Sequence, residues 1–265
     1  MCLILLGYKT SKTLPLVLAA NRDEFLTRPA APMDFWKESP AVLAGKDLEQ
    51  GGTWLGVHTR GRFAALTNFR DPRSIQPKAP SRGRIITRFL ESRDPARGFL
   101  EDLDKESHIY NGFNLLAGQI LSTTIDLCWY SNRTRKILRI PPGIHGLSNH
   151  LLDTEWPKVA RGKAMMKKVL GAGSRGKELE EDLFSLLSDR TRPPDSALPD
   201  TGVGLEWERI LSPVFIKSPE YGTRVSTLII FDRDGKIRVS ERSHDNSKQK
   251  DRRFCIESPK ALART

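Results

Sequence analysis

The first two apolar runs of the chain predict a β-hairpin. Residues 2–8 and 15–20 are almost wholly apolar, and the polar residues 9–14 between them are typical of a turn. If Tyr8 pairs with Pro15, Cys2 lies opposite Asn21, to within about two residues of register. Neither run alternates polar with apolar positions. We therefore expect both faces of each strand to be covered, one by helices and the other by a second sheet, as in a four-layer sandwich.

The remaining apolar pattern predicts further helices and strands. Apolar positions at helical spacing predict helices at 81–91, at 94–104, from the Asp153-Thr154 cap to about residue 170, and at 176–188. Short apolar runs bounded by turn residues predict strands at 51–57, 62–67, 113–117, 125–130, 136–140, 224–231 and 236–241. Residues 191–203 contain several Pro and Gly residues and are expected to form a surface loop.

Composition indicates a folded protein with a large core. The chain has 265 residues, of which 38% are apolar, and its 20 Gly and 17 Pro follow no period. These values exclude disordered, collagen-like and disulfide-scaffold proteins. The length fits one large domain or two closely joined lobes.

The charge distribution does not predict a nucleic-acid interface. A net charge of +11 permits attraction to anionic partners, but basic and acidic residues are interleaved almost everywhere. The densest charged stretch, residues 241–253, lacks the aromatic residues of an RNA-binding platform. No apolar stretch reaches the roughly 20 residues of a membrane span, and residues 3–6 are too few for a signal peptide. We expect a cytoplasmic protein with no nucleic-acid partner, no membrane span and an oligomeric state that the sequence leaves open.

The spacing of cysteines and histidines predicts no metal site. Cys2, Cys128 and Cys255 are far apart and form no CxxC pair, which argues against a disulfide framework and a zinc knuckle. Cys128 is expected to be buried and inert. No two histidines have convincing metal-ligand spacing, although His145 and His150 are candidates for contact with haem. The histidines expected at the surface or in loops are His58, His108 and His244.

The position of Cys2 suggests a nucleophile with its own base. Removal of the initiator Met would leave Cys2 at the terminus, where an α-amino group with a pKa of about 7.7–8.0 is roughly one-seventh neutral at pH 7. An Arg22 guanidinium about 4 Å from the sulfur would lower the thiol pKa toward about 5.5. Asp23 would orient the amino group as the third member of a catalytic set. The alternative is a buried strand cysteine beside an ordinary ion pair of Arg22 with Asp23 or Glu24.

A series of motifs resembles the NRDE family, also called the transport-and-Golgi-organisation family. The first is Met-Cys followed by an apolar strand and then by Ala-Asn-Arg-Asp-Glu-Phe at 20–25. The others occur in the family's order: LAGKDL at 43–48, GGTWLG at 51–56, LTNFR at 66–70, GLSN at 146–149, LDT at 152–154, WPK at 156–158 and YGTRVST at 221–227. The resemblance spans residues 1 to about 232 and is far more specific than a single motif.

The NRDE family is similar in turn to N-terminal-nucleophile hydrolases of the choloylglycine hydrolase and penicillin V acylase type. This resemblance implies an α+β fold, a four-layer αββα sandwich of two mainly antiparallel sheets, and amide cleavage by an N-terminal Cys. We assign residues 1–265 to one such domain, with residues 241–265 as a basic C-terminal segment. The resemblance also implies a catalytic set in which two Asn stabilise the oxyanion and a second Arg joins Arg22. This set is Cys2, Arg22, Asp23, Asn68, Asn149 and Arg224.

The adjacency of Arg22 and Asp23 departs from the hydrolases, which place their Arg and Asp three positions apart. Neighbouring strand residues point to opposite faces, so both side chains reach Cys2 only if the strand ends or bends there. Otherwise Asn21 or Glu24 substitutes for Arg22 or Asp23 beside Cys2. Asn21 and Glu24 are also candidate substrate-binding residues. Trp54 is expected in the pocket wall. Without the resemblance, each of these residues has a structural interpretation. Asn68 would form an Asx turn, Asn149 would lie in a turn before a helix, and Arg224 would form a salt bridge at a strand end.

Together these features favour a cytosolic N-terminal-cysteine amidohydrolase or acyl-transfer enzyme. Cys2 attacks an amide or related acyl carbon, its amine shuttles the proton, and Asn149 with Asn68 stabilises the oxyanion. Arg22 and Arg224 favour an anionic small-molecule substrate, and no cofactor is required. The family has also been associated with haem trafficking and with lipid or acyl-thioester metabolism. The alternative function is therefore a carrier of haem or of an acyl ligand that keeps the fold without hydrolysis.

Overall fold

The computed structural model describes residues 2–121, 124–244 and 251–257, which form two β-sheets with helices outside them. The strands are β1 (Cys2–Tyr8), β2 (Leu16–Phe25), β3 (Ala30–Phe35), β4 (Val42–Asp47), β5 (Leu55–His58), β6 (Arg62–Asn68), β7 (Phe113–Ile120), β8 (Ile125–Ser131), β9 (Lys136–Arg139), β10 (Gly143–Leu147), β11 (Tyr221–Phe231), β12 (Lys236–Ser243) and β13 (Asp251–Glu257). The helices are α1 (Gly83–Glu91), α2 (Ala96–Glu106), α3 (Pro157–Ala172), α4 (Gly176–Leu187) and α5 (Leu205–Leu211). Short 3₁₀ turns lie at Pro72–Ser74, Ser107–Ile109 and Asp195–Ala197.

Two antiparallel sheets form the inner layers of the molecule. The six-stranded sheet has the order β10-β1-β2-β11-β12-β13, and the seven-stranded sheet runs from β3 to β9 in chain order. Helices α3 and α4 pack on the outer face of the first sheet, and α1 and α2 pack on that of the second. The predicted α+β class and four-layer αββα sandwich are therefore confirmed.

The main core lies between the two sheets. Residues such as Ile4 and Leu18 of the six-stranded sheet belong to the same buried cluster as Val57 and Phe63 of the seven-stranded sheet. Leu3 and the other outward-facing residues of β1 and β2 are buried against α3 and α4. Burial on both faces explains why these two strands show no alternation of polar and apolar residues.

The first hairpin has a register one residue away from the predicted one. Tyr8 pairs with Leu16, and Cys2 lies opposite Arg22 rather than Asn21. Because side chains alternate between the two faces, this single step decides which polar residue shares a face with Cys2. Strand β2 also continues to Phe25, so the polar residues 21–24 are part of the sheet.

The structure corrects several sequence-based expectations. The pattern does not predict β3, β4, β10, β13 or α5, and the strand expected from residue 51 begins at Leu55. Helix α3 begins at Pro157 without a side-chain cap, and the expected cap residue Asp153 instead contacts His145. His58 is 5% exposed within β5, whereas Cys128 is buried as predicted.

The C-terminal segment 241–265 is also more than a basic tail. Residues 241–243 end β12, and residues 251–257 form β13 at the edge of the six-stranded sheet. Residues 245–250 and 258–265 of the segment lie outside the described residues. None of the described helices is both long enough and apolar enough to cross a membrane.

Candidate active site

A polar cavity of about 250 Å³ opens beside Cys2. The start of β1, the end of β2, the end of β6, residues 50–54 and the residues that begin α1 contribute to its wall. Six of the residues predicted from sequence line it together: Cys2, Arg22, Asp23, Glu24, Trp54 and Asn68. The first hairpin and β6, which belong to different sheets, therefore meet at one place.

Arg22 lies directly opposite Cys2 and is held by three neighbours. Its guanidinium carbon lies 4.3 Å from the centre of the Trp54 ring. Its Nη2 atom lies 3.5 Å from a carboxylate oxygen of Asp47 and 3.8 Å from one of Glu24. Because Arg22 is 5% exposed, these interactions are screened little by bulk water. The predicted neighbour of the thiol is thus present, but its charge is shared between two carboxylates.

The surroundings of Cys2 favour the protonated thiol. Burial raises the pKa of the Cys2 thiol above its ordinary value. The positive charge of the amino terminus lowers this pKa, Asp23 and Glu24 raise it, and Arg22 lowers it. The direction is opposite to the predicted fall, because loss of hydration of the thiolate outweighs the nearby positive charges, of which Arg22 is shared with Asp47 and Glu24. A thiol in this state needs a base to accept its proton during attack.

Asp23 lies on the face of β2 that is opposite to Arg22. Its Oδ1 accepts a 2.7 Å hydrogen bond from the Thr223 hydroxyl, and its main-chain carbonyl accepts one of 2.9 Å from the Tyr221 hydroxyl. Strand β2 continues through both residues, but its pairing with β11 has a bulge at this step, where Arg22 pairs with Val225 and Asp23 with Thr223. Arg22 and Asp23 both line the cavity, and Glu24 lines it with them.

Asn68 and Asn149 are joined by a hydrogen bond close to Cys2. Asn149 is fully buried, and its Nδ2 donates to the main-chain carbonyl of Asn68 at 3.1 Å. Its Oδ1 accepts from Arg70 at 3.4 Å. The Ser148 hydroxyl lies 3.2 Å from this same oxygen and 3.3 Å from the carbonyl oxygen of Cys2. The structure thus brings the two predicted asparagines together beside the first strand.

Asn21, predicted as a substrate contact, instead supports the fold. It is 1% exposed, and its Nδ2 donates to the carbonyls of Leu187 and Val214 at 2.8 and 2.9 Å. Its Oδ1 accepts a hydrogen bond from the Ser226 hydroxyl at 2.6 Å. The one-residue change of register places this side chain on the helical face of the sheet.

Arg224 also lies elsewhere than predicted. It lines a separate groove with Lys217 and His244, and its Nη1 donates to the carbonyls of Phe25 and Arg28, both at 3.0 Å. A bulge in β11 between residues 223 and 225 takes Arg224 out of the regular alternation. The expectation that Arg224 faces the cavity of Cys2 is therefore wrong, and the residue supports the main chain that precedes and includes Arg28.

The cavity contains two arginines that the sequence analysis missed. Arg28 pairs with Asp47 at 2.7 Å, and Arg82 donates to a main-chain carbonyl at 2.9 Å. Arg82 stands directly before α1, where a Cβ on Gly52 would lie 2.5 Å from the main chain of Gly83. The two glycines therefore allow the start of α1 to reach the cavity. The motif SRGR at 81–84 was the available signal for Arg82.

The histidines proposed for haem have other contacts. His145 lies 2.7 Å from a carboxylate oxygen of Asp153 through Nδ1 and 2.9 Å from the carbonyl oxygen of Pro141 through Nε2. Both partners are acceptors, so the ring donates from both nitrogens, and the bond to Asp153 raises the pKa of His145. An imidazolium has no lone pair for iron, so His145 does not fit haem ligation here. His150 packs on the ring of Phe69 at 4.9 Å.

No three His, Cys, Asp or Glu side chains in the described ranges are grouped so that they could hold a metal ion.

Comparison with known proteins places this chain among relatives over most of its length. It matches the family model described as "Transport and Golgi organisation 2" over residues 1–246. It is 44% identical over 243 residues to a Bos taurus protein named "Transport and Golgi organization protein 2 homolog", with 86% of each chain covered. It is 40% identical over 242 residues to the Homo sapiens protein of the same name, again with 86% of each chain covered.

Two solved structures show a distant likeness. One is the Caenorhabditis elegans ortholog of N-acylethanolamine-hydrolyzing acid amidase, at 10% identity and a TM-score of 0.42, with 86% of this chain and 92% of that chain covered. The other is a variant of the conjugated bile acid hydrolase from Clostridium perfringens, at 9% identity and a TM-score of 0.43, with 100% and 99% covered.

Proposed function

The chain belongs to the Transport and Golgi organisation 2 family, and from that premise we propose that it uses Cys2 to cleave an amide or related acyl group of a small anionic substrate. The observation that carries the proposal is the place of Cys2 in the wall of a polar cavity, opposite Arg22 and together with Asp23 and Asn68. The reaction requires Cys2 at the amino terminus, so the initiator Met has to be removed. It requires no cofactor.

The proposed reaction begins with attack of the Cys2 sulfur on the acyl carbon. The S–C bond forms while the thiol proton passes to the neutral α-amino group of Cys2. The C–N bond then breaks, and the leaving amine takes that proton. Water attacks the thioester, releases the acid and restores the thiol. The raised pKa of the thiol supports a mechanism with such a base, because a buried thiol is not ionised at neutral pH.

Asn149 with Asn68 is the proposed group that stabilises the oxyanion. Asn149 is buried and is oriented by its contacts with Asn68, Arg70 and Ser148. Amide donors that are fixed before the reaction need little reorganisation when negative charge develops on the acyl oxygen. Asn68 lines the cavity, whereas Asn149 is buried behind it and is joined to it by a hydrogen bond, so we retain the two as a pair in the proposed catalytic set.

Arg82 is the proposed contact for the anionic group of the substrate. Arg28 is paired with Asp47 at 2.7 Å, and Arg22 lies near both Asp47 and Glu24. Arg82 has no carboxylate within ion-pair distance in the described part of the chain, and it lines the same cavity. Of the three arginines in the cavity, Arg82 is therefore the one whose charge a substrate carboxylate or phosphate would neutralise.

Intact-mass analysis of the purified protein with the activated ester p-nitrophenyl acetate tests the proposal. We expect a chain that lacks Met1 and that gains one acetyl group on Cys2 before the thioester hydrolyses. The variant Cys2→Ser controls for the site, and Cys255→Ser controls for an exposed thiol that reacts without catalysis. A retained Met1, or acetylation of Cys255 without acetylation of Cys2, would overturn the proposal.

The same preparation also tests the carrier function. A change of the haem absorbance spectrum on titration that is lost in Cys2→Ala, together with no acylation of Cys2, would favour a carrier. Acylation of Cys2 that is indifferent to added haem would favour the enzyme.

A further inference from the structure

The loop between β10 and α3, residues 148–156, is closed at its base by two hydrogen bonds. The main-chain N–H of Asp153 donates to the carbonyl of Gly146 at 2.8 Å, and Oδ1 of Asp153 accepts from the main-chain N–H of Gly146 at 2.9 Å. Asp153 has a φ of 58°, in the left-handed region that Asp and Asn adopt more readily than most residues. Asp153 therefore turns the chain back onto the end of β10.

The carboxylate of Asp153 contacts two cationic side chains. Nδ1 of His145 lies 2.7 Å from its Oδ2, and Nζ of Lys163 lies 2.6 Å from its Oδ1. The other ring nitrogen of His145, Nε2, lies 2.9 Å from the carbonyl oxygen of Pro141. Because both partners of the ring are acceptors, His145 makes both hydrogen bonds only as an imidazolium. These charge-assisted bonds join β10 and α3 to the base of the loop.

The loop supplies Ser148 and Asn149 to the candidate site. The Ser148 hydroxyl lies 3.3 Å from the carbonyl oxygen of Cys2, and Nδ2 of Asn149 donates to the carbonyl of Asn68 at 3.1 Å. The main-chain carbonyl of Asn149 accepts from the main-chain N–H of Arg70 at 2.7 Å. The loop thus contacts both the first strand and the end of β6. Opening at its base would therefore displace Asn149 relative to Cys2.

We propose that His145, Asp153 and Lys163 form a clamp that positions this loop at the candidate site, and that the clamp loosens when His145 loses its proton. The inference rests on the proposed function for its effect on the reaction, because Asn149 belongs to the proposed oxyanion pair. The three side chains act through the loop and are positioning residues. The closure of the loop itself can be measured without any reaction.

The protonation of His145 determines the strength of the clamp. The bond to Asp153 raises the pKa of His145 above its ordinary value of 6.5, and the bond to Pro141 adds to this, while burial and Lys163 oppose it. Burial raises the pKa of Asp153, but its bonds to His145 and Lys163 lower that pKa to about 2. A neutral imidazole has one N–H and donates to only one of its two acceptors. The clamp is therefore complete below pH 6.5 and weakens as the pH rises through the raised pKa of His145.

Hydrogen exchange measured by mass spectrometry tests the clamp in the full-length protein. The protection of peptides that cover residues 146–153, corrected for intrinsic exchange, is compared at pH 6 and pH 9. In the wild type we expect about tenfold less protection at pH 9, as for the loss of one hydrogen bond to a charged group. His145→Gln and Asp153→Asn should show low protection at both pH values, because neither amide restores the paired charges.

Two features of these variants serve as controls. Asn adopts the left-handed conformation at position 153 about as readily as Asp, so Asp153→Asn removes the charge without straining the turn. His108→Gln removes an exposed histidine outside the loop and should leave the protection of residues 146–153 and its pH dependence unchanged.

Acylation of Cys2 by p-nitrophenyl acetate at pH 7 tests the positioning role. We expect the kcat of Asp153→Asn to be about tenfold lower with KM changed less than about twofold, since the substrate cavity is left in place. Lys163→Arg keeps the cation and should retain most of the rate that Lys163→Met loses. The exposed Lys167→Met on the same helix is the matched control. In the Asn149→Ala background, Asp153→Asn should change the rate by less than about twofold, because the clamp acts through Asn149.

The outcomes separate the clamp, its role and the proposed function. Equal protection of the wild type at the two pH values, or wild-type protection in Asp153→Asn, would overturn the clamp. Reduced protection in Asp153→Asn with wild-type acylation would overturn its positioning role, as would a large loss of rate when Asp153→Asn is added to Asn149→Ala. Absence of Cys2 acylation in the wild type would overturn the proposed function and the positioning role together, and hydrogen exchange alone would then decide whether the clamp exists.

Discussion

At the scale of single residues, the position of the Trp54 ring requires a residue without a side chain at position 45, which is Gly45. A Cβ on Gly45 would lie 2.4 Å from two ring carbons of Trp54, which is closer than real Cβ contacts. The same indole ring packs on the guanidinium of Arg22, opposite Cys2. One glycine in β4 therefore sets the position of the cavity wall and of the cation beside the thiol.

The variant Gly45→Ala should displace Trp54 and loosen its contact with Arg22. We expect a loss of about 1–3 kcal/mol in the free energy of unfolding, as for other overpacked buried sites, and slower acylation of Cys2. Urea unfolding and the ester assay measure these two effects. The control is Gly171→Ala in α3, where a Cβ meets nothing within 4 Å and should stabilise the helix by up to about 1 kcal/mol. Equal stability of the two variants would contradict this account of Trp54.

At the scale of elements, Arg62 joins the start of β6 to the end of α1. Its side chain is 1% exposed and donates from Nε to the carbonyl of Phe89 at 3.0 Å and from Nη1 to that of Asp94 at 2.8 Å. Its guanidinium also lies 4.1 Å from the centre of the Phe89 ring. The last turn of α1 leaves carbonyls without helical partners, and Arg62 satisfies that of Phe89 from a neighbouring strand, as well as that of Asp94 beyond the helix.

The variant Arg62→Leu should destabilise the protein by about 3 kcal/mol, because the buried carbonyl of Phe89 loses its donor and the link to Asp94 is lost. Urea unfolding monitored by circular dichroism measures the change. Arg60→Leu removes an exposed arginine two residues away and should change the free energy of unfolding by no more than about 0.5 kcal/mol. Similar values for the two variants would show that the carbonyls find other partners.

At the scale of the whole molecule, Glu241 connects the two sheets. It lies on β12 of the six-stranded sheet, and its Oε1 accepts a 2.7 Å hydrogen bond from the main-chain N–H of Met33 on β3 of the other sheet. It is 1% exposed, and this burial raises the pKa of its carboxyl to about 7. The contact between the two layers therefore includes a carboxyl group that titrates near neutral pH.

The variant Glu241→Gln should stabilise the protein at pH 8 but not at pH 5. The carboxyl ionises near its ordinary pKa of 4.5 in the unfolded chain and near 7 in the fold. As the pH rises through this window, the folded state retains its proton and loses stability relative to the unfolded state. The amide carries no charge and still accepts from Met33, so we expect a gain on the order of 3 kcal/mol at pH 8.

Urea unfolding at pH 5 and pH 8 measures the effect of Glu241→Gln. The exposed Glu155→Gln provides the matched control and should show no such difference between the two pH values. A Glu241→Gln variant that is less stable than the wild type at pH 8 would show that the ionised carboxylate contributes to the contact between the sheets.

The sequence predicts most of the central elements because their signal is local. The apolar runs of β1, β8 and β11 and the helical spacing of α1 and α4 are visible in short windows. The elements that it misses have weak local patterns. For example, β13 has one buried residue, Ile256, and four charged ones, and β3 is largely exposed. Such edge strands are specified by their neighbours more than by their own residues.

The sequence predicts those residues of the candidate site whose position follows from the pairing of neighbouring strands. The pairing of the first hairpin brings Arg22 beside Cys2, and the two apolar runs and their turn predict this pairing to within about two residues. The placement of Asn21 and Arg224 is wrong because a register step and a bulge each move a side chain out of the expected alternation. Neither change has a signal in the local residue pattern.

The amino-acid sequence by itself determined the family, the αββα arrangement and the presence of a cysteine next to an arginine at the first strand pair. Only the tertiary structure decided that the Cys2 thiol has a raised pKa, that Asp47 shares the charge of Arg22, and that the hydroxyls of Tyr221 and Thr223 hold Asp23. The physical reason is that strand pairing follows from patterns within short segments. Hydration and charge depend on groups that the fold collects from residues more than a hundred positions apart.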